Sequence, residues 1–408
     1  MNKNRLVLLL LFIFLINISI EHKKYEEIIS EEIYESKVSI LNIYDKNDYQ
    51  VLKLKANNFI LYTSIDKEIK LEKLDILNIV FVTNKISFID YLKGFYSKTI
   101  YFDKVKRDVD FKDKIIYKID SNHQDEMISE LFQALFLAIP ISSNLRDICT
   151  NYGISHLIAL SGFHIAVISF VIYWILYFPY TYFHKRYFPF RNRKFDLLIV
   201  CMLVLFGYLF FVGIVPSLLR SLIMLLISVI LLRNNIKIFS FGTLLYTVLL
   251  IITFIPSFIF SLGFWFSVIA VFYIILYMKY FFNMNKYLSF AFFNFWMFLI
   301  FNPIVHFYFP QTSYEQFLSP IITIFFTLFY PFEIFAHIFD FAIYFDGVLK
   351  LFLEHKMNVF EVVTPFYFFV IYIAVSLFST INKMAFFFLN ILMILFNFYL
   401  FNLFCFLL

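Results

Sequence analysis

Apolar runs close to or beyond the roughly 18 residues that a bilayer-spanning helix needs recur along most of this 408-residue chain. That recurrence settles the class, because a helix satisfies its own backbone polar groups in hydrocarbon. The chain reads as an α-helical polytopic membrane protein. Beyond a first crossing that ends near residue 183, apolar segments fall at about 196–214, 218–232, 238–255, 258–278, 287–303, 317–335, 362–379 and 385–408. With shorter re-entrant or interfacial pieces counted, about 9–11 transmembrane or re-entrant helices are expected.

Residues 6–20 form another apolar run, preceded by Lys3 and Arg5 and followed by the charged stretch beginning at Glu21. This fits a signal peptide or a first transmembrane anchor, and the lack of a small-x-small cleavage site favours an anchor over residues 1–21. From 22 to 125 the character changes: Lys, Glu and Asp are frequent and no run approaches spanning length. Short β-branched and aromatic runs at 37–44, 49–56, 58–65, 76–83 and 98–105, separated by turn residues, predict a small all-β barrel or sandwich. Residues 87–96 read as a helical insert. Membrane character returns at 127–141, a short amphipathic segment suited to the interface.

The loop 184–194 carries five Lys and Arg residues, which places it in the cytoplasm by the positive-inside rule. Alternating the segments then puts Arg233 to Lys237 and Lys279 to Lys286 inside as well. The N-terminus is cytoplasmic on this reading and the 22–125 domain is outside. The net charge of +5 is too small for so long a chain to identify a partner, so distribution carries the argument. The 61 Phe residues read first as interchangeable apolar choices, and more sharply as a stacking path for bases. Cys149, Cys201 and Cys405 lack CxxC spacing, and the eight histidines show neither HxHxDH nor HExxH, which speaks against a metal centre and a metallohydrolase. No cofactor is implied.

Four polar constellations interrupt the apolar sequence. The first, 156–164, reads HLIALSGFH and places His156, Ser161, Gly162 and His164 where polar groups are costly, which marks a site by default. On a continuous helix, Ser155, Ala159, Gly162, Ala166 and Ser169 would form a stripe of small residues, and Ser161 and Gly162 would support a break beside a cavity. Ser161 with His164 also admits a catalytic pair, without the context of a nucleophile elbow. The second, 215–233, sets Arg220 within about a turn of Pro216, either snorkelling or facing a polar pathway that meets an anion. The third, 260–271, sets Gly263, Ser267 and Ala270 beside Phe264, as a packing seam or a narrow throat. The fourth, 306–320, is a polar and aromatic loop with Glu315, placed outside.

In order and separation these stretches resemble the competence domain of the ComEC/Rec2 family of DNA-uptake channels. The family pattern GLxHLLAISGLHV is matched by GISHLIALSGFHI at 153–165, its GFxLSxxAV element by GFWFSVIAV at 263–271, and its paired arginines by Arg220 and Arg233. The loop before Leu318, Ser319 and Pro320 is similar too. The resemblance covers about 126–335 and leaves 336–408 as C-terminal membrane helices. It implies a bacterial inner-membrane channel for single-stranded DNA in natural transformation, with an OB-like domain outside. The partners it implies are single-stranded DNA, the lipid bilayer, a DNA receptor on the outer side, a cytoplasmic helicase or single-strand binder, and a second copy of the chain. Arg146 at the mouth and Arg220 in the pathway are the phosphate-contact candidates. The histidine-rich motif of the family's metallo-β-lactamase-like domain is missing, so a short form without nuclease chemistry is expected. The rival readings are a small-solute or proton-coupled transporter and an intramembrane Ser/His hydrolase.

Overall fold

The computed structural model describes residues 3–402 apart from 47, 68, 70, 106–109, 159, 161 and 234–239. Ser161, Ala159, most of the basic loop after Arg233, and Cys405 therefore lie outside the described residues. In chain order the helices are α1 (Lys3–Ile29), α2 (Phe88–Lys93), α3 (Phe111–Ser121), α4 (Glu126–Leu137), α5 (Ser143–Asn151), α6 (Ser155–Ile158), α7 (Gly162–Tyr187) and α8 (Arg193–Val212). They continue as α9 (Pro216–Arg233), α10 (Phe241–Phe254), α11 (Leu262–Tyr280), α12 (Lys286–Tyr308), α13 (Ser319–Ile338), α14 (Asp346–Leu353), α15 (Phe366–Phe378) and α16 (Lys383–Asn402). Six helical segments among the described residues are long and apolar enough to cross a membrane, and three shorter apolar helices accompany them. The chain is a multi-pass helical membrane protein with a small β domain near its N-terminus, as its sequence predicts.

The β domain comprises β1 (Ile33–Asp45), β2 (Tyr49–Lys55), β3 (Ile60–Asp66), β4 (Ile76–Val82), β5 (Phe95–Tyr96) and β6 (Thr99–Val105). The long first strand pairs antiparallel with both β2 and β4, through Ile43 opposite Leu52 and Lys37 opposite Asn78. β5 runs parallel to β3, and β6 antiparallel to β4. Those last two are pieces of one run interrupted only at Ser97 and Lys98. Across the interruption Ser97 N donates to the Tyr62 carbonyl at 2.9 Å and Val82 N to the Lys98 carbonyl at 3.3 Å. One run thus bonds to both free edges, to β3 over two residues and to β4 over most of its length, which closes the five strands in an OB-like order.

Alternation sends Leu52, Leu54, Leu61, Leu77, Ile79 and Phe81 inward to near-zero exposure. Burying a side chain such as Phe81 contributes on the order of 2 kcal/mol. The helical insert is α2, shorter than the 87–96 stretch. Ser87 caps its start by accepting from Asp90 N, and Gly94 ends it at φ +91, where a Cβ would press on Ile60 at 3.2 Å.

Two compact units make up the chain. The first contains Met1–Ser121, Ser129–Ser143 and Leu160–Val268. Within it α1 is one continuous helix of 27 residues. Its apolar part follows α10, where Asn17 Nδ2 donates to the Thr253 carbonyl at 2.7 Å. The charged part reaches the barrel, burying Ile28 in its core while the Tyr25 hydroxyl donates to the Ile86 carbonyl. Helices α7, α8 and α9 pack on one another around Leu160, Ile165, Leu205, Leu209, Leu218 and Leu222. α4 spans only about 18 Å, short of the hydrocarbon thickness. The segment after it is pinned to the barrel: Lys73 Nζ donates to Glu130 Oε1 at 2.7 Å and to the Pro140 carbonyl at 2.6 Å, while Ser142 donates to both Glu130 oxygens.

The second unit contains Asn122–Ile128, Asn144–Ala159 and Ile269–Leu408. Here α12, α15 and α16 form a bundle joined by interhelical hydrogen bonds, the usual adhesive where lipid offers no hydrophobic drive. Asn302 Nδ2 donates to Asn397 Oδ1 at 2.6 Å, Trp296 Nε1 to Asn390 Oδ1 at 2.9 Å, and the Tyr372 hydroxyl to the Ile300 carbonyl at 2.9 Å. At one end, Lys279 Nζ and the Tyr280 hydroxyl donate to the Thr380 and Ser379 carbonyls. At the other, the two-residue strands β7 (Gln311–Thr312) and β8 (Phe360–Glu361) pair. Between α13 and β8 the chain forms a 3-10 turn (Ala342–Phe345) and the short α14, and returns to the 306–312 end of the bundle.

Candidate functional site

The first motif is divided between the two units. α6 ends at Ile158 and α7 begins at Gly162, with Leu160 outside either helix. The small-residue stripe is therefore not one helical face, and the anticipated break in the helix is present. A second interruption precedes it: α5 ends in a turn where Gly153 takes φ +68 and Ile154 N donates back to the Cys149 carbonyl at 2.8 Å.

In the second unit this turn is held by the fourth motif. Ser313 Oγ donates to the Asn151 carbonyl at 2.6 Å, Gln316 Nε2 to the Thr150 carbonyl at 3.3 Å, and Ser319 Oγ to the Gly153 carbonyl at 2.9 Å. His156 is exposed, with Nε2 at 3.3 Å from Thr323 Oγ1. Glu315 faces His355, with Oε1 at 3.7 Å from Nε2. Arg146 lies half-buried on α5, one turn before Thr150, whose hydroxyl donates to its carbonyl.

In the first unit the second half of the motif meets the second constellation. The Arg220 side chain is 5% exposed, and its guanidinium holds only weak partners: Nη1 reaches Met224 Sδ at 3.3 Å and Nη2 reaches Ser221 Oγ at 3.2 Å, while Nε has none. No carboxylate pairs with it among the described residues. It sits beside the start of α7, since a Cβ on Gly162 would lie 3.8 Å from Nη2 and 2.8 Å from Ser221 Oγ. Ser217 Oγ donates to the Leu160 carbonyl, tying the start of α9 to the connection before α7. A glycine is needed here because two backbones approach with only a serine hydroxyl between them.

Helix starts present unpaired N–H groups and a positive dipole end, so guanidinium and helix terminus together make a buried site of one sign. Such a site takes an anion. His164 is fully buried on the first turn of the same helix. The third constellation is different in kind. Phe264 is 0% exposed and packs on Phe258, which makes it core. Gly263 is exposed with nothing closer than Ser261 Oγ at 4.0 Å, and Ser267 is half-buried. The structure thus brings Gly162 and Arg220 together, whereas Arg146, His156 and Glu315 belong to the other unit.

Two further groupings escaped the sequence reading. On the barrel exterior, Lys53, Tyr62 and Tyr96 occupy one row across β2, β3 and β5, with Lys53 Nζ at 5.7 Å from the Tyr62 ring centroid and Tyr96 61% exposed. Strand alternation alone identifies Lys53 and Tyr62 as outward. In the second unit, His123, His337, Asp346 and Glu333 form a connected cluster. Glu333 and His337, one turn apart in an otherwise apolar helix, were its available signal.

No curated protein and no solved structure matches the chain. A family model described as Competence protein matches residues 140–407, a span that takes in the split motif, Arg220, and the loop that grips the Gly153 turn. The chain belongs to this competence protein family, of the ComEC/Rec2 type.

Proposed function

We propose that the chain is a channel passing single-stranded DNA across the bacterial inner membrane, with the barrel outside receiving the strand. The observation that carries this reading is Arg220, a buried cation without a carboxylate, set against the first turn of a 26-residue helix. A passing phosphodiester supplies the missing negative charge, one phosphate at a time, and the sparsity of such cations favours transit over retention. The barrel row of Lys53, Tyr62 and Tyr96 supports the same substrate, because single-strand binders combine cations for phosphate with aromatic platforms for bases.

On this reading 1–21 anchors the chain with its N-terminus in the cytoplasm. Residues 22–125 lie outside, 126–335 form the competence membrane domain, and 336–408 supply the remaining membrane helices. A receptor outside, a helicase or single-strand binder inside, and a second copy of the chain are its partners. Its role is transport without nuclease chemistry.

The test follows labelled DNA into cells. Deleting the gene, or substituting Arg220→Met, should stop labelled single strands from reaching the cytoplasm while surface binding persists. Arg220→Lys should restore part of the entry, since it keeps charge but not the guanidinium fork. Normal entry after deletion refutes the channel, and normal entry in Arg220→Met refutes the role of this arginine.

A further inference from the structure

The second unit contains a chain of four titratable side chains that the DNA reading does not use. His123 Nδ1 lies 2.7 Å from Asp346 Oδ1, His123 Nε2 lies 2.9 Å from His337 Nε2, and His337 Nδ1 lies 2.8 Å from the Glu333 carbonyl oxygen and 3.6 Å from Glu333 Oε2. Glu333 is 1% exposed and neither carboxylate oxygen has a hydrogen-bond partner. Asp346, which also accepts from Gln124 N at 3.2 Å, lines a cavity of about 310 Å³ with Gln124, Asp125, Ile128, Gly347 and Lys350. The series therefore leads from a cavity to a buried acid.

Counting protons fixes what the series holds. A backbone carbonyl only accepts, so His337 Nδ1 bears a proton. The contact between the two Nε2 atoms requires one proton between them. The bond between Asp346 and His123 Nδ1 requires another. Asp346, His123 and His337 together thus hold three protons and are neutral: either Asp346 is ionised and the histidine pair carries one positive charge, or Asp346 is protonated and both rings are neutral. The two arrangements differ by the movement of a proton along existing hydrogen bonds. Removing the third proton would leave two lone pairs facing each other at the histidine contact, so the contact itself requires all three. Asp125 and Lys350 are further charged residues lining the cavity, with Lys350 Nζ 3.5 Å from Asp125 and 3.7 Å from Glu354.

We propose that Asp346, His123 and His337 form a proton wire that loads Glu333 from the cavity. Starting with Asp346 protonated and both rings neutral, a proton from hydronium in the cavity adds to Asp346 Oδ2 as the Oδ1 proton passes to His123 Nδ1. The His123 Nε2 proton shifts to His337 Nε2, and His337 Nδ1 releases its own to Glu333 Oε2 after a small rotation of that carboxylate. Net, one O–H bond breaks in the cavity hydronium and one forms at Glu333, while each ring gains one N–H bond, loses the other and is left in the opposite tautomer, which the return of the wire must reverse. The chemistry uses only water and protons and is independent of the cargo.

Infrared difference spectra of the full chain in lipid, taken between about pH 5 and about pH 8 where imidazoles titrate, test this. A protonated-carboxyl carbonyl band should grow at the lower pH and vanish in Glu333→Gln. In Asp346→Asn the band should remain while its deuterium exchange slows roughly tenfold or more, as loss of a proton-transfer group demands. Should Glu333→Gln not yield folded protein, His337→Gln must show the same slowed exchange. A band that survives Glu333→Gln, or exchange that is as fast in Asp346→Asn and His337→Gln as in the wild type, overturns the proposal. Neither outcome bears on DNA entry, so the two readings fail separately.

Discussion

Replacing Gly162 by alanine tests the approach of α7 to α9 most directly. The new Cβ would stand 2.8 Å from Ser221 Oγ, inside the closest distance such atoms adopt, but 3.5 Å from Ser221 Cβ, which is ordinary contact. The hydroxyl must therefore swing away, while the backbone need not move. Swinging away breaks the bond from Ser221 Oγ to the Ser217 carbonyl at 2.8 Å and the one it accepts from Arg220 Nη2 at 3.2 Å. At about 1 kcal/mol net for the first bond and somewhat more for the second, set against less than about 1 kcal/mol gained from alanine at a helix start, the loss is about 2 kcal/mol. Ser221→Ala breaks the same two bonds and should cost a similar amount. In the double variant the obstructing oxygen is gone, so alanine at 162 should add almost nothing, and the coupling should be about 2 kcal/mol. Unfolding of the four proteins in one detergent, followed by loss of helicity, measures the cycle. If Gly162→Ala costs as much in the Ser221→Ala background as in the wild type, the hydroxyl is not what requires the glycine, and the packing argument fails.

Three further outcomes follow from the geometry. Gly153→Ala forces a side chain into φ +68 and should destabilise by about 1–2 kcal/mol, read as a lowered unfolding midpoint; an unchanged midpoint would mean the turn relaxes. Tyr62→Ala and Tyr96→Ala should each weaken single-stranded DNA binding by the full chain by about 1–3 kcal/mol without altering unfolding, and unaltered affinity in both would remove the barrel row from the path. Lys73→Ala should release the segment after α4, raising hydrogen exchange at 138–142 with a stability loss of only about 1 kcal/mol, because the pair it breaks is partly exposed.

The sequence made legible what depends on period and length. Spanning helices announce themselves by apolar runs, and the barrel strands by β-branched runs between turns, so both classes were read with boundaries off by a few residues. The barrel's closure was not legible, because it depends on the single run Phe95–Val105 bonding to β3 at its start and to β4 along the rest, on opposite edges of the sheet. The same limit applies to the sites. Gly162 and Arg220 were each conspicuous as residues that do not belong in lipid, yet their adjacency comes from the packing of α7 on α9. His123 was invisible as a site, since its partners lie more than 200 positions along the chain. Phe264 illustrates the opposite difficulty: in a chain with 61 Phe residues, composition does not separate a platform from a core residue.

The two polar centres differ in how their charge is balanced, and that difference assigns their work. Asp346, His123 and His337 neutralise one another within hydrogen-bond distance, so the centre has no need of an outside ion and responds only to the supply of protons. Arg220 has a thioether, a hydroxyl and a helix start around it, none of which cancels its charge. Burial of an unpaired cation costs several kcal/mol unless something compensates. A chain that keeps such a residue at 5% exposure is poised to lower its free energy when an anion arrives, whereas the histidine centre gains nothing from one. Affinity for a polyanion should therefore depend on Arg220, and the rate of proton exchange at Glu333 on the histidine pair.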